Sequence, residues 1–158
     1  MDTLLIVCGV ALAVAVLYAM TQINPKRGDD GGPWPFYSRT VLSPPEQVLY
    51  FRLCSALPQQ VILAQVGLSR VLGVKKGNDF HTWNNRINRM SADFVVCNKD
   101  GSVLAVIELD DSTHKQERRR EADAKKDKAL ASADVKIIRW NVKAMPNEAD
   151  IRAAFSIS

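Results

Sequence analysis

Two carboxylates flanking a tight turn are the residues of this chain whose types and spacing could do chemistry. Asp93 lies in Ala92-Asp-Phe-Val-Val-Cys97, while Glu108 and Asp110 end Ser102-Val-Leu-Ala-Val-Ile-Glu-Leu-Asp110. Both segments read as strands, and Asn98-Lys99-Asp100-Gly101 between them carries the Asp-Gly hairpin signal, so antiparallel pairing is predicted. With the turn centred near Asp100, opposed residues have numbers summing to about 200 or 201, which sets Asp93 across from Ile107 or Glu108. Directly opposed Cβ atoms lie about 4.5–5.5 Å apart and like charges there repel. Two acids so placed need a counter-charge; a divalent cation supplies one, and oxygen-only donors favour Mg²⁺ or Mn²⁺. Period two puts Leu104, Val106, Glu108 and Asp110 on one face, an apolar row ending in two carboxylates. The plainer reading is an acidic, solvated strand end, with Asp111, Ser112 or Thr113 capping the helix that follows.

The elements that must position these acids are legible on either side. Ser43-Pro44-Pro45-Glu46 has capping-box spacing with Pro at the first helical position, and opens a helix over Glu46–Leu57 that Pro58 ends. Leu49, Leu53 and Leu57 form its buried stripe, with Glu46 on the same face as Leu49. Gln60–Val66 has the content of a strand, residues 67–77 are mixed, and Phe80–Met90 reads as a short helix carrying His81, Trp83, Arg86 and Arg89. Thr113-His114-Lys115-Gln116 is a second capping box, starting a charged helix to about Ala131 that uses Ala122, Ala129 and Leu130 for packing. Val135–Trp140 is a further strand and Glu148–Phe155 a closing helix. The fold class is α/β (α+β): a mixed β-sheet flanked by helices, its last strand parallel to a neighbour because a helical crossover precedes it.

The order of these residues resembles a known superfamily. Asp93, a hairpin, Ile107-Glu108-Leu109-Asp110, a basic helix and a further strand are similar to the restriction-endonuclease-like PD-(D/E)XK proteins over about Leu42 to Phe155. More narrowly, Ala92-Asp-Phe-Val-Val96 followed by Ile-Glu-Leu-Asp-Asp-Ser-Thr-His (107–114) resembles the bacterial domain of unknown function 2726, related to the very-short-patch-repair nucleases. The resemblance implies a restriction-endonuclease-like core of helix, three strands, helix and strand. It also implies Mg²⁺- or Mn²⁺-dependent hydrolysis of phosphodiester bonds in nucleic acid, DNA foremost. Asp93 and Glu108 match the two metal-ligating acids of the superfamily. Glu46 matches an acid that many members place on their first helix, although the capping box accounts for it equally. Asp110 departs from the pattern, because the superfamily usually has Lys there to orient water or steady the transition-state charge. Asp110 is then a further ligand or general base, or the site is inactive, with Lys115, Lys125 and Lys126 the candidates for a displaced cation. His114 is either an acid–base residue, as in repair-nuclease relatives, or a first-turn helix residue. The alternative function is a catalytically inactive nucleic-acid-binding or protein-scaffold module of the same fold.

The basic residues carry two readings. Lys115, Arg118, Arg119, Arg120, Lys125, Lys126 and Lys128 share one helix, where they either follow a phosphate backbone or form a solvated face paired with Glu117, Glu121, Asp123 and Asp127 at i to i+4 spacing. Arg86 and Arg89 are the other candidates for phosphate contact, with Trp83 read as core rather than as a stacking platform.

The rest of the chain bounds where such a domain sits. At 158 residues it holds one ordinary domain. Sixteen of the 17 residues Leu4–Met20 are hydrophobic, and all 21 Lys and Arg lie beyond residue 24 with 16 of the 17 acids. Residues 1–23 are long and apolar enough to cross roughly 30 Å of hydrocarbon. Lys26-Arg27 behind them then place the body in the cytoplasm, making the chain a single-pass inner-membrane protein. Residues 24–41, with Gly31-Gly32-Pro33-Trp34-Pro35, are a flexible linker to a domain at 42–158, and Trp34, Phe36 and Tyr37 either anchor at lipid headgroups or pack on that domain. Three widely spaced cysteines and two histidines exclude a disulfide framework and any zinc spacing, and agree with a reducing compartment.

Overall fold

The computed structural model describes residues 13–16, 18, 32–110 and 117–155, and within the last range the side chains from Glu121 onward. The chain divides into two compact units, Met1–Ser38 and Arg39–Ser158. In the first, residues 13–16 and 18 are helical and residues 32–38 have no regular structure. Trp34, Phe36 and Tyr37 are exposed, the first two with ring centroids 5.6 Å apart. Among the described residues no helix is long and apolar enough to cross a membrane, and most of the predicted span over residues 1–23 lies outside them.

The second unit opens with helix α1 (Pro44–Ala56), which starts where the capping box requires: the Glu46 carboxylate accepts the Ser43 amide at 2.6 Å. Leu49, Leu53, Ala56 and the C-cap Leu57 are buried. Strand β1 (Val61–Gly67) follows, then two short helices, α2 (Leu68–Val71) and α3 (Phe80–Asn84). Strands β2 (Ser91–Cys97) and β3 (Val103–Asp110) form the predicted hairpin, and α4 (Glu117–Ala131) crosses to β4 (Lys136–Asn141) before α5 (Glu148–Ala154) closes the chain. The sheet has order β1-β2-β3-β4, antiparallel through β3, with β4 parallel to β3. One apolar cluster joins α1 and α5 to Phe94, Val96 and Ile107, and the second joins α2 and α4 to Ala92, Val95 and Val106. The sheet is therefore filled on both sides, and truncating Phe94, fully buried, costs about 3–5 kcal/mol.

Four sequence expectations give way. The helix predicted over Phe80–Met90 ends at Asn84, because Arg86, Ile87 and Met90 donate to carbonyls three residues back and form successive turns. Trp83, expected in the core, is 46% exposed, since α3 buries none of its residues. Ala122, expected to pack, is exposed; the side of α4 turned inward carries Asp123, Lys126, Asp127 and Leu130 at helical spacing. Strict period two fails on β3. A register shift between Val96 and Cys97 moves Leu104 into the cluster of α1, while Val106 lies in that of α4, so Leu104 does not share a row with Val106.

Candidate functional site

The hairpin register pairs Phe94 with Ile107 and Val95 with Val106, the alternative in which numbers sum to 201. The pairing ends at Phe94 and Ile107, and beyond it Asp93 and Glu108 lie near enough for their charges to act on each other. The Asp93 carboxylate accepts the Leu109 amide at 2.8 Å, taking up a backbone donor. Next to it β1 is strained: Gln65 has φ of 52°, unfavourable for a residue with a side chain, and the β1–β2 pairing resumes only on either side of it. The consequence is a change of side. Ile62 and Ala64 pack with α1, whereas Val66 packs with α2; Phe94 and Ala92 differ in the same way across Asp93.

Glu108 is the most deeply buried charge among the described residues. Its side chain is 12% exposed, and its Oε2 accepts from the Lys126 ammonium of α4 at 2.7 Å, itself 13% exposed. The other oxygen, Oε1, is buried with no hydrogen-bond partner. Burial pushes the Glu108 pKa up; the hydrogen bond and charge of Lys126 oppose this, Asp93 adds to it and Arg139 opposes it. Asp93 is half-buried, and burial also raises its pKa against the Leu109 hydrogen bond, with Glu46 and Asp110 adding repulsion and Lys126 attraction. Two carboxylates thus share a desolvated corner with one lysine, a combination that concentrates at functional sites.

Charges on β4 and α4 extend this corner. Parallel pairing sets Arg139 beside Glu108 and Asn141 beside Asp110. Asp127, one residue after Lys126, holds the Arg139 guanidinium at 2.5 Å. Burial pulls the Arg139 pKa down, but Asp127, Asp110 and Glu108 together hold it above its ordinary value.

The structure therefore assembles Asp93, Glu108 and Asp110 with Lys126. Glu46 lies near enough for its charge to act on Asp93, but both its oxygens are engaged: Oε2 by the Ser43 amide and Oε1 by the Gln65 side-chain amide at 2.9 Å. Among the described residues no three acids, histidines or cysteines come close enough together to hold a metal ion. His114 and Lys115 lie outside the described residues, as do the side chains of Arg118 and Arg119 on α4. Lys125 and Arg86 line a separate cleft with Lys75 and Trp83, and Arg89 is exposed outside it. Sequence reasoning missed Arg139, Asp127 and Gln65. Lys126 and Asp127, four and three residues before the apolar Leu130 on one helical stripe, carried a signal that a purely outward reading of charge overlooks.

This is a mixed α/β domain whose site joins carboxylates of adjacent strands to a lysine from the crossover helix. The chain belongs to the family described as a protein of unknown function (DUF2726), whose model matches residues 38–157. No curated protein and no solved structure matches it.

Proposed function

We propose that the domain is a PD-(D/E)XK-like, metal-dependent nuclease that hydrolyses phosphodiester bonds of nucleic acid, DNA foremost. The observation that carries this reading is the Glu108–Lys126 contact beside Asp93, with Glu108 Oε1 buried and unpartnered. An orphaned carboxylate oxygen in a desolvated, oxygen-only donor set fits Mg²⁺ or Mn²⁺. Asp93 and Glu108 hold the ion, which when bound supplies an activated water and neutralises charge on the phosphate. Lys126 takes the part of the lysine that the superfamily usually places two residues after the second acid. Its ammonium lies against Glu108 and steadies developing negative charge. Asp110, two residues beyond Glu108, accepts a proton from the attacking water. Residues 1–23 anchor this domain at the cytoplasmic side of the inner membrane.

The full-length chain, with Mg²⁺ or Mn²⁺, is tested on a panel of single- and double-stranded DNA and RNA. Cleavage that chelator abolishes, and that Glu108→Gln and Lys126→Met each reduce by about 10² or more, supports the reading. Cleavage unaffected by either substitution overturns it. A second reading, a non-catalytic module of the same fold, draws on the lack of a three-ligand group among the described residues, and is favoured if nucleic acid binds but no substrate is cut.

A further inference from the structure

A cleft of about 800 Å³ opens between α4 and residues 72–90, with Lys125, Lys128 and Ala129 of that helix in its lining and Lys126 outside it. That volume falls in the range of sites for nucleotide-sized ligands, about 300–1,000 Å³. Its charged lining is of one sign: Lys75, Arg86, Lys125 and Lys128 face it, and no Asp or Glu does among the described residues. Lys125 and Lys128 make no ion pair with a described residue. Between these cations lie apolar Met90 and the exposed indole of Trp83, and the Arg86 guanidinium sits 4.4 Å above the Trp83 ring. A guanidinium stacked on an indole is a flat, cationic surface that accepts another planar ring.

We propose that this cleft binds an unpaired nucleotide of single-stranded nucleic acid, its base stacked on Trp83 and Arg86 and its phosphates on Lys75, Lys125 and Lys128. The chemistry separates this occupant from other polyanions. A solely acidic partner needs the cations but not the aromatic surface, and a duplex keeps its bases stacked on one another and offers none to Trp83. The proposal names the substrate class of the carboxylate site and rests on that reading to this extent: Lys125, which lines the cleft, and Lys126, which holds Glu108, are consecutive on one helix.

The test is fluorescence anisotropy of the full-length chain with labelled 12-nucleotide oligonucleotides in chelator, so that no cleavage intervenes. A single strand is expected to bind at least 10-fold more tightly than the matching duplex or an abasic strand of equal charge. Trp83→Ala is expected to weaken single-strand binding by about 10-fold, with Trp83→Phe restoring most of it because a ring remains. Lys125→Ala/Lys128→Ala is expected to reduce the salt slope by about 1.4, at roughly 0.7 per phosphate contact on a single strand. Equal binding of abasic and normal strands, or Trp83→Ala without effect, overturns the proposal. Failure of the two readings is distinguishable. Loss of binding in Trp83→Ala with no cleavage under any condition supports the cleft and overturns the nuclease. Metal-dependent cleavage of duplex that Trp83→Ala leaves unaltered does the reverse.

Discussion

Lys126→Met removes the only cation in hydrogen-bonding distance of Glu108 among the described residues, and the size of its effect follows from the burial of both partners. Unit charges 2.7 Å apart at an effective dielectric of about 20 attract by roughly 6 kcal/mol, much of it offset by the desolvation of both groups. Removing one partner of a buried pair leaves the other uncompensated, at a cost of about 3–5 kcal/mol. For a domain of this size that lowers Tm by about 10 °C or more at pH 8. The loss depends on pH with a definite sign. Lys126 holds the Glu108 pKa down against burial, so without it the folded-state pKa rises further above the unfolded value. A carboxyl in that position binds its proton more tightly when folded, and stability falls as pH rises from the unfolded to the folded pKa. The deficit of Lys126→Met relative to wild type is therefore small near pH 5 and large at pH 8. Glu108→Gln/Lys126→Met, which removes both charges, recovers most of the stability at pH 8. Thermal unfolding of the full-length chain followed by circular dichroism at the two pH values measures all of this. An equal loss at both, or no recovery in the double variant, refutes the argument that the lysine balances a buried carboxylate.

Asp93→Asn abolishes cleavage yet raises Tm by a few degrees at pH 8, because it removes a carboxylate that burial and the charges of Glu46 and Asp110 disfavour while keeping an oxygen for the Leu109 amide; a lower Tm would mark Asp93 as structural. Mn²⁺ at ten times its Kd stabilises wild type by about 1.4 kcal/mol, on the order of 5 °C, and leaves Asp93→Asn unshifted in differential scanning calorimetry. Asp110→Lys does not raise nuclease activity, since Lys126 already supplies the cation at Glu108, and a large gain in the cleavage assay would assign that role to position 110 instead. A reporter that works only in the cytoplasm is active when fused after Ser158, and a periplasmic alkaline phosphatase fusion there is inactive.

How far the fold could be read depends on whether neighbours in sequence or in space decide. Helix α1 and the β2–β3 hairpin were legible, because Ser43-Pro44-Pro45-Glu46 and Asp100-Gly101 are local chemistry that the structure keeps. The same turn set the hairpin register in which residue numbers sum to 201. The change of side at Gln65 and Asp93 was not legible: a positive φ at a glutamine leaves no mark in composition, and two strands must fail to pair for it to appear. The bulge beside Cys97 escaped for the same reason. Lys126 could be named only as one of three lysines, since reach from a helix to a strand depends on how the crossover packs. Trp83 was misplaced because large apolar side chains are mostly buried, and α3 is too short to bury one.

The cation at Glu108 comes from a residue near in space rather than in sequence. A residue two after Glu108 lies at the far end of the same strand. Lys126 reaches Glu108 from the helix above and leaves the strand end to a third acid. The charge of Asp93 then acts on Glu108, and those of Asp127 and Asp110 act on Arg139. On the same helix, Lys125 and Lys128 border a cleft with no acid among its described lining residues. A consecutive pair on α4, Lys125 and Lys126, thus joins the cleft to the carboxylate corner, because residues about 100° apart on a helix reach two neighbouring faces.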